Sequence, residues 1–406
     1  MKLYEMELPE IDINAPGFLR DPHAKYAEAR SQSWIARFQD GYVLLDYDDM
    51  KTMLTDDRCR TPNQDITKLA GVEKGSPFER WNNHFLFALN GEPHDRLRKL
   101  VAPAFTPREA TRFRPFMRET IQKILDQVEG QSECDFSALA AQYPITVMCH
   151  ILGVNSADIA RFEDWLITLA NLFTLDKEIL EEVNGVLANL FDYVDELIEG
   201  RRAPGEKPDD LLQTLVDLTT DGDNLSDEEL RLLLINLLSG GYDTTKNQLI
   251  FIMKVLIDNP EEWQLLADNP DRVKPFIEEA FRFRNPVNTS LRVANEDIEY
   301  RDIVIPKDTM MMLPLTFSGH DASKNEAPNE FRADRNKKHH LTFGQGVHFC
   351  LGTFIARALL EEALPIIVER LRKPKPAGEA TVPDHFMGLS SYDELPISFE
   401  PVPSQS

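Results

Sequence analysis

Apolar positions recur at helical spacing through most of the chain. The longest stretch runs over 226–258, where Leu230, Leu233, Leu234, Leu237 and Leu238 form a broad apolar face. Ser226 and Glu229 make a capping box before it, and Asn259-Pro260 supplies a stop. The pattern predicts one helix, about 50 Å long at about 1.5 Å per residue. Its middle reads Ser239-Gly240-Gly241-Tyr242-Asp243-Thr244-Thr245. Adjacent glycines inside a helix cost ~1–2 kcal/mol against alanine, so the pair needs a reason. Either another helix packs closely there, or a flat group lies against the helix with room for a small ligand.

Over 108–198 the pattern is again helical, with polar interruptions and an apolar face at Trp165, Leu166, Leu169, Leu172 and Phe173 that reads as core. A last helical pattern spans 351–372, with Leu351, Ile355, Leu359 and Leu360 on its apolar side. Pro365 within it predicts a kink or break after Leu364. Short helices are expected around His23 to Ala29 and Asp48 to Leu54. Trp34 to Phe38 and Tyr42 to Leu45, about a glycine-containing turn, predict a hairpin. Strand signals return at Ser290 to Ala294 and Ile303 to Ile305. Residues 60–90 show no clear period and hold Phe78, Trp81, Phe85, Leu86 and Phe87. They are expected to be irregular, serving as core or as pocket lining.

The 406 residues are 42% hydrophobic and 28% charged, enough for a large core. With no repeat and no linker, a single domain over 1–406 is expected. Cys59, Cys134, Cys149 and Cys350 fit neither a disulfide framework nor a paired zinc site, which favours a reducing compartment. The acidic N-terminus has no signal-peptide core, and the longest apolar run, 232–238, is too short to span a bilayer. A cytoplasmic protein, off the membrane, is the expectation. A net charge of −24 argues against nucleic acid as partner. Basic residues nevertheless gather at Arg335, Lys337, Lys338, His339 and His340, and again at Arg96, Arg98, Lys99, Arg108, Arg112 and Arg114. Solvated basic faces are common; sharing one face, these two would attract an acidic protein.

One stretch carries distinctive chemistry: Phe343-Gly344-Gln345-Gly346-Val347-His348-Phe349-Cys350-Leu351-Gly352. A cysteine follows a glycine-rich loop and stands at the head of a helical pattern, where exposed amides favour a thiolate. Such a thiolate suits iron; the plain alternative is a buried free cysteine. A zinc site from His339, His340, His348 and Cys350 lacks the usual ligand spacing. Elsewhere His94 and Arg98 share a helical face at i,i+4, as do Glu279 and Arg282 at i,i+3.

The 343–352 stretch closely resembles the haem-ligand signature of the cytochrome P450 superfamily, through Phe343, Gly344, Gly346, Cys350 and Gly352. In the order that family requires, His94-x-x-x-Arg98, Gly240-Gly241-x-Asp243-Thr244 and Glu279-x-x-Arg282 also match, so the resemblance covers nearly the whole chain. It implies a mostly α fold with small β-sheets, a triangular prism whose long central helix crosses the haem. It implies haem b (iron protoporphyrin IX), with Cys350 as the iron ligand and Phe343, Gly344 and Gly352 shaping the loop beneath. His94, Arg98, Arg292 and His348 would hold the propionates. Asp243 and Thr244 would manage protons while O2 is activated. Glu279, Arg282 and Arg335 would lock the fold.

Candidate pocket residues are Phe85, Phe87, Leu238, Gly241, Tyr242, Val287, Leu291, Phe386 and Met387, the last two on a terminal hairpin tip. They suggest a hydrophobic small-molecule substrate. Electrons would come from NAD(P)H through a separate ferredoxin and ferredoxin reductase, to a monomeric monooxygenase. Two departures from the family pattern, Arg301-Asp302 in place of a glycine turn and Ser318-Gly319-His320-Asp321 in place of an Asn-Arg-Asp form, touch only loop geometry. A peroxide-driven peroxygenase would usually lack the acid–alcohol pair, and a non-catalytic haem sensor would have no use for it.

Overall fold

The capping box at Ser226 closes in both directions in a computed structural model of the chain. The Ser226 amide donates to Glu229 Oε2 at 2.9 Å, and the Glu229 amide donates to Ser226 Oγ at 3.2 Å. Residues 2–39, 41–69, 71–170, 177–205, 207–208, 210–220, 225–382 and 388–400 are described. Leu172, Phe173, Phe386 and Met387, expected in the core stripe and the substrate pocket, lie outside them.

In chain order the helices are α1 (Pro16–Arg20), α2 (Pro22–Arg30), α3 (Tyr47–Thr55), α4 (Asn63–Leu69), α5 (Pro77–His84) and α6 (Glu92–Val101). There follow α7 (Pro107–Asp126), α8 (Phe136–Ile151), α9 (Ile159–Ala170), α10 (Lys177–Arg202), α11 (Leu211–Thr220) and α12 (Asp227–Asp258). The last are α13 (Pro260–Asp268), α14 (Val273–Phe283), α15 (Leu315–Ser318) and α16 (Thr353–Arg370). Strands are β1 (Ile35–Phe38), β2 (Gly41–Leu44), β3 (Cys59–Arg60), β4 (Glu133–Asp135) and β5 (Ser290–Ala294). The remainder are β6 (Ile298–Tyr300), β7 (Ile303–Ile305), β8 (Met310–Leu313), β9 (Arg372–Pro376) and β10 (Pro396–Glu400). The architecture is mostly α with small sheets. No helix among the described residues is long and apolar enough to cross a membrane.

The chain forms two compact units, and α12 runs from one into the other without a break. The first unit comprises Met1–Pro62, Asn247–Cys350 and Lys373–Leu395. Its five-stranded sheet has the order β1-β2-β8-β5-β3, with β2 and β8 parallel and the other pairs antiparallel. The predicted hairpin forms with Ile35 opposite Leu44 and Phe38 opposite Gly41. Alternation sends Ile35, Leu44, Met311 and Leu313 into one core cluster and Ala36, Val43 and Met312 into another. Both faces of the sheet are therefore covered, which explains why its strands read as continuous apolar runs.

The second unit comprises Asn63–Lys246, Leu351–Arg372 and Pro396–Ser406. Here α16 is tied to α7 through Arg114, which donates to Glu361 Oε2 at 2.6 Å and Glu362 Oε1 at 2.9 Å. The Tyr143 hydroxyl of α8 donates to the Leu359 carbonyl at 3.0 Å. β10 pairs antiparallel with β4, Ile397 opposite Cys134.

Two expectations need correction. Residues 60–90 are not irregular, since α4 and α5 occupy much of them. α5 opens on Ser76, whose Oγ accepts from the Glu79 amide at 3.2 Å, with Pro77 at the first helical position. That Ser-Pro-x-Glu cap was the available signal. The second concerns α16. It starts at Thr353, three residues past Cys350, and runs through Pro365 to Arg370, so that, of the kink or break expected after Leu364, no break forms. Burial of Leu364, Ile367 and Val368 holds the helix against the loss of a single amide donor.

Candidate functional site

In the first unit the cysteine loop is built against α14. The Cys350 amide donates to the Phe343 carbonyl at 2.8 Å, and the Gly344 amide to the Leu341 carbonyl at 2.8 Å. The Thr342 hydroxyl reaches the Phe281 carbonyl of α14 at 2.7 Å, and the rings of Phe281 and Phe343 stand 4.8 Å apart, edge to face. Gly346 has φ +73°, and a Cβ there would lie 2.9 Å from the Leu54 carbonyl oxygen of α3, so backbone conformation and space both demand glycine. His348 ends a short 3-10 turn over Gly346–His348, just before Cys350. Burial pushes the thiols of Cys59, Cys134 and Cys149 up to about 12, which keeps them protonated at neutral pH. Among the described residues no three His, Cys, Asp or Glu side chains gather as a metal cluster, so the zinc alternative gains no support.

Behind the loop, α14 carries the pair that the sequence placed at i,i+3. Arg282 donates from Nε to Glu279 Oε2 at 2.9 Å and from Nη2 to Oε1 at 2.7 Å, both residues being fully buried. Its remaining hydrogens go to the carbonyls of Gly319, Pro328 and Glu330 at 2.8–3.0 Å. Arg335 Nε adds a bond to Glu279 Oε1 at 2.9 Å, so the three predicted residues meet. Gly319 belongs with them and was missed. A Cβ there would fall 2.0 Å from the Arg282 carbonyl oxygen. It lies within the stretch that departs from the family form.

Arg292, on β5, is buried, and its Nη1 donates only to Ser290 Oγ at 3.0 Å and the Leu291 carbonyl at 2.8 Å. No carboxylate pairs with it among the described residues. Burial pushes its pKa down to about 10. A buried guanidinium with neutral partners alone is poised for an anionic group. Val287 and Leu291 are partly buried beside the two core clusters of this unit.

In the second unit, α6 presents His94 and Arg98 one turn apart. His94 is buried, with Nδ1 2.9 Å from Asp95 Oδ1. On α12 the two glycines differ. A Cβ on Gly241 would meet the Met148 sulfur of α8 at 2.8 Å, whereas one on Gly240 would meet nothing within 4 Å. Helix packing thus accounts for Gly241 and not for Gly240. Thr244 Oγ1 donates to the Gly240 carbonyl at 2.9 Å. Asp243 is 8% exposed, and its Oδ1 accepts from Lys246 Nζ at 2.8 Å. Burial raises its pKa and Lys246 offsets part of the rise. Leu238 and Tyr242 are buried, Phe85 packs against Trp81 at 5.4 Å, and Phe87 is 38% exposed. A separate cavity of about 450 Å³, bordered by Arg112, His150, Arg201 and Asp210, includes none of the predicted pocket residues.

The family model for Cytochrome P450 matches residues 33–273 and 272–394. Luteothin monooxygenase of Streptomyces thioluteus is 34% identical, covering 97% of this chain and 96% of its own. Mycinamicin IV hydroxylase/epoxidase of Micromonospora griseorubida is 31% identical, over 86% of this chain and 87% of its own. Among solved structures, P450BioI in complex with hexadec-9Z-enoic acid ligated acyl carrier protein is similar at a TM-score of 0.86. It is 28% identical, over 95% of this chain and all of that one.

Proposed function

This chain belongs to the cytochrome P450 family and is a monooxygenase, and we propose that it holds haem b through the Cys350 thiolate and oxidises a hydrophobic small organic molecule. In the overall reaction one atom of O2 enters the substrate and the other leaves as water. Two protons come from solvent and two electrons from NAD(P)H, passed on by a separate ferredoxin reductase and ferredoxin. The observation that carries the reading is the cysteine loop, closed by its own amide on Phe343 and braced on α14.

Haem bound through a thiolate supplies the activation of dioxygen, because the cysteine ligand pushes electron density toward the iron. The protein supplies the rest. Arg292 fits a propionate because it is buried and no acid among the described residues pairs with it, and His94, Arg98 and His348 are assigned to the same task. Asp243 and Thr244 hold and pass protons, the carboxylate taking them up and the alcohol positioning them. Tyr242, Leu238 and the aromatics Phe85 and Phe87 are assigned to the substrate side, with Val287 and Leu291. Relatives named for luteothin and mycinamicin IV, and a similar structure with a fatty acyl chain on its carrier protein, support a hydrophobic substrate. The intact acid–alcohol pair favours reductive oxygen activation over a peroxide-driven reaction.

The test is the absorption spectrum of the haem-loaded, reduced protein under carbon monoxide. A thiolate-type Soret band is expected, and Cys350→Ser should lose it. A wild-type band at the position of a nitrogen-ligated haem overturns the assignment.

A further inference from the structure

Asp243, the acid of the proposed proton pair, sits in a small charged cluster contained in the second unit. Lys246 lies one turn further along α12 and donates to its Oδ1 at 2.8 Å. The same ammonium stands 4.9 Å from the centre of the Tyr242 ring. Glu163 faces the cluster from α9: burial and then Asp164 raise its pKa, and Lys246 offsets part of that rise, while Tyr242 is raised by burial first and then by Asp243 and Glu163. Asp164, its neighbour in sequence, is exposed on α9 and adds to the rise of Glu163. From α8 the neighbour is the apolar Met148, against Gly241. The groups therefore step from the buried Asp243, through a half-buried ammonium, to a half-buried carboxylate beside exposed Asp164.

Burial opposes the charged form of Asp243, and Lys246 is the neighbour that favours it. A carboxylate kept ionised can accept a proton; one protonated at rest cannot. A lysine is suited to this post, since its ammonium is a compact charge on a four-carbon stem with freely turning donors. Its reach lets it leave one acid for another.

We propose that Lys246 is a positioning residue for proton delivery: it keeps Asp243 ionised beside Thr244 and, by moving between Asp243 and Glu163, links the buried acid to solvent. The inference rests on the reading of Asp243 and Thr244 as the proton pair.

The test uses haem-loaded Lys246→Met, Lys246→Arg, Glu163→Gln and Asp243→Asn beside wild type. In the reduced carbon-monoxide form, the infrared band of the protonated Asp243 carboxyl is isolated by subtracting the Asp243→Asn spectrum and followed against pH. Lys246→Met should move its midpoint upward by about one unit, a tenfold gain in proton affinity, and Lys246→Arg should return it toward wild type. The pH profile of NADH oxidation, with a plant-type ferredoxin and its reductase as electron source, should move the same way. Glu163→Gln should slow that oxidation while leaving the Asp243 midpoint close to wild type. The inference is overturned if Lys246→Met leaves both midpoint and profile in place, or if Lys246→Arg behaves as Lys246→Met does. An Asp243→Asn protein that oxidises NADH with the wild-type pH profile overturns instead the proton-pair reading beneath it. The infrared titration reports separately whether Lys246 governs the Asp243 charge.

Discussion

Asp49 shows what a single buried charge does to this protein. Its Oδ1 accepts from the Tyr300 hydroxyl at 2.6 Å and pairs with Arg301 at 3.0 Å, yet burial pushes its pKa up to about 6 from 3.8. Between those values the folded chain binds a proton that the unfolded chain has released. Stability therefore falls as pH rises through the window, and the loss is complete above it. A shift of about two units corresponds to ~3 kcal/mol at most. Asp49→Asn should remove this dependence, so that its unfolding free energy gains ~2–3 kcal/mol on wild type between about pH 4 and pH 6.5 in urea titrations. Parallel pH curves for the two proteins would exclude a raised Asp49. None of this is legible along the chain, because the partners of Asp49 lie about 250 residues away. Arg301-Asp302 is similar. The missing glycine was visible, and both residues do adopt left-handed φ, +46° and +61°. What holds Arg301 there, its contacts to Asp46, Asp49 and the Trp34 ring, is tertiary. The cysteine loop, by contrast, was readable as a motif, since its glycines and thiol lie in one short stretch, although the start of the helix that follows it, three residues past Cys350, was not.

Secondary elements with strong local signals were legible, as α12, β1 and β2 show, and those decided by packing were not. Capping and periodicity specify α12 by themselves, but α16 passes Pro365 only because buried neighbours hold it. The glycines of these elements separate the same two causes. At Gly241 a methyl group meets the flexible end of Met148, which can turn aside, and alanine returns ~1 kcal/mol of helix propensity. Gly241→Ala should therefore change the unfolding free energy by no more than ~1 kcal/mol. At Gly319 the methyl meets the Arg282 carbonyl at 2.0 Å, beside the buried Glu279–Arg282–Arg335 network. Backbone cannot turn aside, so Gly319→Ala must displace a carbonyl that belongs to α14. A loss of ~3–5 kcal/mol is expected, the range for breaking a buried ion pair. Urea unfolding of both variants gives the comparison; near-equal midpoints would mean the network tolerates displacement. Sequence showed the i,i+3 pair but not its burial, and burial separates this network from an ordinary surface pair.

For the whole molecule, the order of motifs was enough to anticipate the family and the fold, while the charge distribution was not readable in the same way. A net charge of −24 needs cationic spots if an acidic ferredoxin is to approach, and two basic stretches offered them. Much of that charge is already committed. Arg114 is tied to Glu361 and Glu362, Arg96 to Glu229, and Arg335 to Glu279. Lys338 donates to the Arg335 carbonyl at 2.7 Å, and burial lowers its pKa. The acidic partners of Arg114, Arg96 and Arg335 come from distant segments, so counting basic residues overstated the field. Lys99, Arg108 and Lys337 are exposed, and no acid engages them among the described residues. Exposed, unengaged cations act on a partner through solvent, and their effect falls as salt shortens the Debye length to about 8 Å at physiological strength. Reversing all three to glutamate should slow reduction by an acidic ferredoxin about tenfold or more at low salt, within the range that steering supplies, and should flatten its salt dependence. Reversing Arg114 should act first on stability, by placing a third carboxylate against Glu361 and Glu362. Stopped-flow reduction across a salt series, with unfolding measured in parallel, distinguishes the two effects. An unchanged rate and salt slope in the triple variant would show that the electron donor docks without using these cations.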